Sequence, residues 1–153
     1  MKTIKEVLYD CLAAKTAVLA TNFYNYETLV CVARAAKAMN ALVMLQLTRS
    51  SIDYMGLHTA YKMGRQVIED YGLQGYIHLD HGPSLELVQK CLDEGFDSVM
   101  IDASEKPFEE NSSTSSYSRL PKPRSAAAST VWTPWRLSTR SRKWRGPGSS
   151  VAA

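Results

Sequence analysis

Acidic residues are missing from one end of this chain. All fifteen Asp and Glu precede Ser112, so residues 112–153 carry no carboxylate that could pair a base or bind a cation. Cysteine is scarce as well. Cys11, Cys31 and Cys91 are odd in number and contain no C-x-x-C pair, which excludes a disulfide framework and a thiolate zinc knuckle and leaves buried cytosolic thiols as the expectation. No run approaches the roughly 18 apolar residues of a membrane span. The N-terminus, Met1-Lys2-Thr3-Ile4-Lys5-Glu6, has no uninterrupted apolar stretch before Asp10 and Lys15, so a cytoplasmic, soluble protein is expected. No strand is followed by G-x-G-x-x-G or a P-loop, which weighs against a nucleotide-binding sheet.

What is present divides at one point. Residues 1–111 hold ten Lys or Arg against fifteen acids, a net of -5, whereas residues 112–153 hold eight basic residues and no acid, a net of +8. The first segment has the pattern of a folded domain. Ile4, Val7, Leu8, Cys11 and Leu12 share one helical face, predicting an opening amphipathic helix. A strand is expected over Thr16 to Ala20, a helix over Glu27 to Met39, and a strand buried on both faces over Ala41 to Leu47. Then come a helix over Leu57 to Tyr71 closed by Gly72, a strand over Tyr76 to Leu79, a helix from Ser84 to Glu94 stopped by Gly95, and a strand around Val99 to Ile101.

Four apolar strands alternating with helices make a parallel α/β sheet. The strand ends fall near Asn22, Thr48, Asp80 and Asp102, a spacing that suits a (β/α) barrel. Eight strand-helix units need roughly 200 residues or more, so residues 1–111 read as half of a (β/α)8 barrel.

Chemistry concentrates at two strand ends. His78-Leu79-Asp80-His81-Gly82 sets a carboxylate beside an imidazole just where Gly75-Tyr76-Ile77 runs out, and Phe96-Asp97-Ser98-Val99-Met100-Ile101-Asp102 repeats the design one strand later. Barrel enzymes keep their active sites at such ends. His78, in alternation with Leu79, reads as a hydrogen-bonding residue of the barrel wall. His58 reads as a surface or packing residue of its helix, Asn22 as a possible helix cap, and Glu94 and Asp97 as solvated loop charges.

His78-Leu79-Asp80-His81-Gly82, Ser98-Val99-Met100-Ile101-Asp102-Ala103-Ser104 and Pro107-Phe108-Glu109-Glu110-Asn111 together resemble the class II, zinc-dependent ketose-bisphosphate aldolases, which include the fructose- and tagatose-bisphosphate enzymes. Ala20-Thr21-Asn22-Phe23-Tyr24-Asn25-Tyr26-Glu27 is similar to the family's A-F-N-x-x-N-x-E turn, and Leu45-Gln46-Leu47-Thr48 to its second strand end. The resemblance runs without a gap to about Asn111. It implies a (β/α)8 TIM barrel that reversibly cleaves a ketose 1,6-bisphosphate to dihydroxyacetone phosphate and an aldehyde, with Zn2+ as cofactor and a homodimer or homotetramer as the assembly. By family position Asp80 is the general acid/base, His81 the first zinc ligand, and Asp102 either a carboxylate that orients the metal's ligands or an accessory metal carboxylate. Asn22, Thr48 and Ser104 then line the substrate cavity. The family's two further zinc-binding histidines come from strands beyond Asn111, where this chain has no histidine.

The basic segment contains eleven Ser, four Pro and all three Trp. Its composition alone suggests a disordered tail that binds nucleic acid. The genetic code offers another reading. Thr130-Val131-Trp132-Thr133-Pro134-Trp135-Arg136-Leu137-Ser138 is encoded, for example, by ACG GTG TGG ACG CCG TGG AGG CTG AGC. Read from the third base, the same DNA gives Gly-Val-Asp-Ala-Val-Glu-Ala-Glu, similar to the family's fifth-strand segment G-V-x-V-E-A-E. Residues 112–153 are therefore expected to be an out-of-frame, non-native tail without fixed structure, and nucleic-acid binding is the lesser reading.

Overall fold

The computed structural model of the protein describes residues 2–102 and 130–132. Helix α1 (Ile4–Ala14) opens on a capping box: Thr3 Oγ1 accepts the Glu6 N–H while Glu6 Oε2 accepts the Thr3 N–H. It buries Ile4 and Val7, but Leu12 at the far end of the same stripe stands 75% exposed. Strand β1 (Leu19–Asn22) begins later than the apolar run that predicts it and ends at the expected residue. Helix α2 (Tyr26–Ala38) is capped by Asn25, whose side chain accepts the Thr28 N–H. Asn22 therefore does not cap it.

Strand β2 (Val43–Leu47) is followed by α3 (Arg49–Met55), a helix that the apolar pattern does not announce. Seven residues are too few for a periodic stripe. Its signal is the cap, with Thr48 Oγ1 accepting the Ser51 N–H. Helix α4 (Leu57–Tyr71) ends at left-handed Gly72 as the sequence indicates. Strand β3 (Gly75–Gly82), helix α5 (Leu85–Glu94) with Ser84 as its cap, and strand β4 (Ser98–Ile101) complete the series.

All pairings are parallel, in the order β1-β2-β3-β4, with Leu19 opposite Val43, Val43 opposite Gly75, and His78 opposite Ser98. Period-two alternation separates the faces of the sheet. Val43, Leu45, Leu47, Ile77, Leu79, Val99 and Ile101 join Leu29, Ala33, Ala60, Val67, Val88 and Phe96 in the main core under the helices. Met44 and Tyr76 point the other way and pack with Ile4 and Val7 of α1. This arrangement is the first half of a (β/α)8 barrel, with α1 against the inner face at the N-terminal ends of the strands.

Three sequence expectations need correction. Asp97 is not a solvated charge: it is buried, pairs with the Arg65 guanidinium and accepts the Ile77 N–H at 2.7 Å. Glu94 holds His58 Nδ1 at 2.7 Å, so it too is engaged. Of the three thiols only Cys91 is buried, while Cys31 is exposed.

Thr130–Trp132 form a short strand, β5, parallel to β4 with Ser98 opposite Thr130 and Met100 opposite Trp132. The outer side of β4 otherwise offers unpaired backbone groups. The remainder of 112–153, and Ser104, lie outside the described residues. No helix among the described residues is long and apolar enough to cross a membrane.

Candidate active site at the strand ends

Asn22, Thr48, Asp80 and Asp102 arrive at the same end of the sheet because parallel register sets their strand ends side by side. Tyr76, His78 and Asp80 alternate onto one face of β3. By the same alternation His81 should turn to the opposite side, away from Asp80. It does not. His81 takes a left-handed backbone conformation, φ 52°, and the β3–β4 register shifts between Leu79 and Gly82. This irregularity adds a residue to the strand end and lets two sequential side chains serve one site, as bulges beside active sites commonly do.

The resulting cluster is compact. His81 Nδ1 lies 2.6 Å from Asp102 Oδ2, and His81 Nε2 lies 3.8 Å from Asp80 Oδ1. Asn22 Nδ2 donates to Asp80 Oδ2 at 3.4 Å, a contact spanning 58 positions of sequence. One imidazole is thus flanked by two carboxylates, one of which is oriented by an amide from β1. The hydrogen bond to Asp102 holds the His81 pKa above its ordinary value; partial burial opposes this, and the Asp80 charge adds to it.

His78 is the opposite case. It is 6% exposed and its Nδ1 is 2.7 Å from Ser98 Oγ, which makes it the wall residue expected from sequence. Burial pushes its pKa down to about 4 despite the nearby Asp80 charge, so the imidazole is neutral at neutral pH. Ser98 was not singled out in the sequence. Its signal is the strand register, which sets it opposite His78. Thr48 stands at the end of β2, where its hydroxyl is engaged with Ser50 and Ser51 at 3.0 Å in capping α3.

A catalytic zinc ion takes three protein ligands. Among the described residues no group of three His, Cys, Asp or Glu is placed to hold a metal. His81 and Asp102 have the right donor chemistry but are joined to each other, so the described residues do not complete a zinc site by themselves. A separate cleft of about 380 Å3 between α3 and α5 includes Arg49 and Lys90. Both cations are already tied to acids on their own helices, to Asp53 at 2.6 Å and Glu86 at 2.7 Å.

The family model for class-II fructose-bisphosphate aldolase matches residues 2–120. The chain belongs to the class-II fructose-bisphosphate aldolase family. The match runs past the boundary at Asn111 expected from composition. A fructose-bisphosphate aldolase of Staphylococcus aureus is 39% identical over 115 residues, which are 73% of this chain and 40% of that protein. One from Geobacillus stearothermophilus is 39% identical over 112 residues, 71% of this chain and 39% of that protein. Among solved structures, the YdjI aldolase of Escherichia coli K12 superposes with a TM-score of 0.66 at 25% identity, covering 72% of this chain and 43% of that one. The chain therefore spans about 40% of the length of the curated aldolases it matches.

Proposed function

We propose that this chain is the first half of a class II ketose-bisphosphate aldolase, the reaction being reversible cleavage of fructose or tagatose 1,6-bisphosphate to dihydroxyacetone phosphate and glyceraldehyde 3-phosphate. The observation that carries the reading is the convergence of Asp80, His81, Asp102 and Asn22 at the bulged end of β3. Cleavage requires a hydroxyl proton to leave across the breaking carbon–carbon bond, and a positioned carboxylate can accept it and return it in the reverse direction. Asp80 is that group. Asn22 holds one of its oxygens, and the neighbouring imidazole of His81 faces the other.

His81 and Asp102 are proposed as contributors to a Zn2+ site whose remaining ligands are supplied from outside the described residues. When bound, zinc supplies Lewis-acid stabilisation of charge on the substrate carbonyl oxygen. Thr48 and Ser104 are proposed to line the substrate cavity, and the complete enzyme to be a homodimer or homotetramer in the cytoplasm. The 153-residue chain alone is proposed to be inactive, with residues 1–111 as its aldolase segment and 112–153 as an out-of-frame product.

Two experiments test these statements. The coding DNA, read through codon 138, should show the alternative frame encoding Gly-Val-Asp-Ala-Val-Glu-Ala-Glu; unrelated codons there end the frame proposal. A gene product with that frame restored should cleave fructose or tagatose 1,6-bisphosphate, and its Asp80→Asn variant should lose about 100-fold or more, the usual worth of a general acid/base. Unchanged turnover in the variant would remove Asp80 from the role.

A further inference from the structure

The left-handed turn at His81 is held by the residue after it. We propose that Gly82 is a positioning residue of this site: its lack of a side chain lets β3 and β4 approach closely enough to lock the His81 imidazole onto Asp102. This inference rests on the proposed role of the Asp80–His81–Asp102 cluster.

Three observations converge on Gly82. It is buried at the strand end, and a Cβ placed there would lie 2.7 Å from Leu79 Cδ2, 2.8 Å from the Met100 carbonyl oxygen and 3.1 Å from Val88 Cγ2. The Met100 contact is with backbone, so it cannot be relieved by a rotamer change. The Gly82 carbonyl accepts the Asp102 N–H at 2.9 Å, so the same residue fixes both the spacing of the two strands and the backbone of the carboxylate that holds His81. The register then resumes with Gly82 opposite Ile101.

Without that close approach the irregularity has no reason to persist. A left-handed conformation at a non-glycine residue is unfavourable and survives only where its surroundings enforce it. The His81 side chain does not enforce it, since the ring is 62% exposed and its bond to Asp102 is a consequence of where the backbone puts it. The enforcing element is the β3–β4 contact at Gly82, which forces the extra residue outward and carries the imidazole back over the mouth.

The test compares Gly82→Ala with Gly75→Ala in the full 153-residue chain. Gly75 lies at the other end of β3, where a Cβ would meet the Ile68 side chain at 2.7 Å, so its substitution strains the same strand away from the site. The readout is the nitrogen-15 spectrum of the His81 imidazole at a single neutral pH, which reports whether Nδ1 is hydrogen-bonded to a carboxylate. Gly82→Ala is expected to lose that signature while Gly75→Ala keeps it. Retention in both variants, or loss in both, overturns the proposal.

A second variant covers the case in which Gly82→Ala does not fold. His81→Gly is compared with His81→Ala, since both leave Gly82 in place and both lose the imidazole and its bond to Asp102; with a left-handed residue at 81 the unfolding equilibrium constant of the glycine variant should lie about threefold or more below that of the alanine variant. If position 81 is instead an ordinary extended residue, the glycine variant has the higher constant, and the proposal fails. Both readouts are independent of turnover. Loss of aldolase activity in Asp80→Asn with intact His81 spectra would leave this inference standing, and an absent imidazole signature in the unaltered chain would sink it whatever the activity.

Discussion

Asp97→Ala should be strongly destabilising for a change at a single polar residue. Asp97 begins the turn into β4, is 9% exposed, and spans two strands and a helix. Its carboxylate takes the Ile77 N–H at 2.7 Å and the Arg65 guanidinium, while its own N–H donates to the Ile77 carbonyl at 3.0 Å. Truncation leaves a buried N–H without an acceptor, at a cost of about 1–3 kcal/mol. It also strips Arg65 of its charge partner. Breaking a buried ion pair costs about 3–5 kcal/mol, but the Arg65 side chain is 22% exposed and stays over the Tyr61 ring at 5.4 Å, so the lower part of that range or less applies.

Together these terms predict a loss of about 3 kcal/mol, a large share of the 5–15 kcal/mol typical of a domain. With a urea slope of about 1–1.5 kcal/mol/M, the unfolding midpoint falls by about 2–3 M, read by far-ultraviolet circular dichroism. Asp97→Asn keeps an acceptor for Ile77 and should lose about half as much. A fall below about 1 kcal/mol for Asp97→Ala, or equal losses for the two variants, would refute the reasoning that this clasp sets the β3–β4 register on which His78–Ser98 and His81–Asp102 depend.

Other perturbations have distinct signatures. Burial holds the His78 pKa at about 4 in the folded state against 6.5 for the free side chain; the unfolded chain therefore binds more protons in this window, and stability is lost as pH falls from about 6.5 to 4. The shift corresponds to about 3 kcal/mol, and His78→Gln should flatten that part of the urea-midpoint profile. Thiol labelling should be staged: exposed Cys31 reacts first, whereas Cys91, its thiol pushed up to about 12 by burial, reacts only on unfolding. If the basic 112–153 segment bound nucleic acid as a function, affinity would fall steeply with salt; the out-of-frame reading predicts no sequence preference in a competition assay with unrelated DNA or RNA.

Much of the architecture is legible in residues 1–102 because both kinds of signal agree there. The continuous apolar run before Leu47 and the alternation of Ile77 and Leu79 with His78 fix buried parallel strands, and Gly72 and Gly95 stop helices where expected. Helix α3 escapes because a seven-residue element is announced only by its cap. Asp97 is misread because a charge at a strand start looks solvated until Arg65, 32 positions earlier, is brought beside it. At the site, the residue types were readable from the strand ends, but alternation alone would send His81 away from Asp80. Only the backbone shows that one left-handed residue and a register shift reunite them, and the Asn22–Asp80 contact depends on bringing β1 and β3 ends together across β2.

The most direct measurement is cleavage of fructose and tagatose 1,6-bisphosphate by a gene product in which the proposed alternative frame is restored, before and after removal of metal by a chelator. The account predicts activity that disappears on chelation, returns with Zn2+, and is about 100-fold or more lower when Asp80 is replaced by Asn. Cleavage that survives chelation, or that is undiminished in Asp80→Asn, would contradict it.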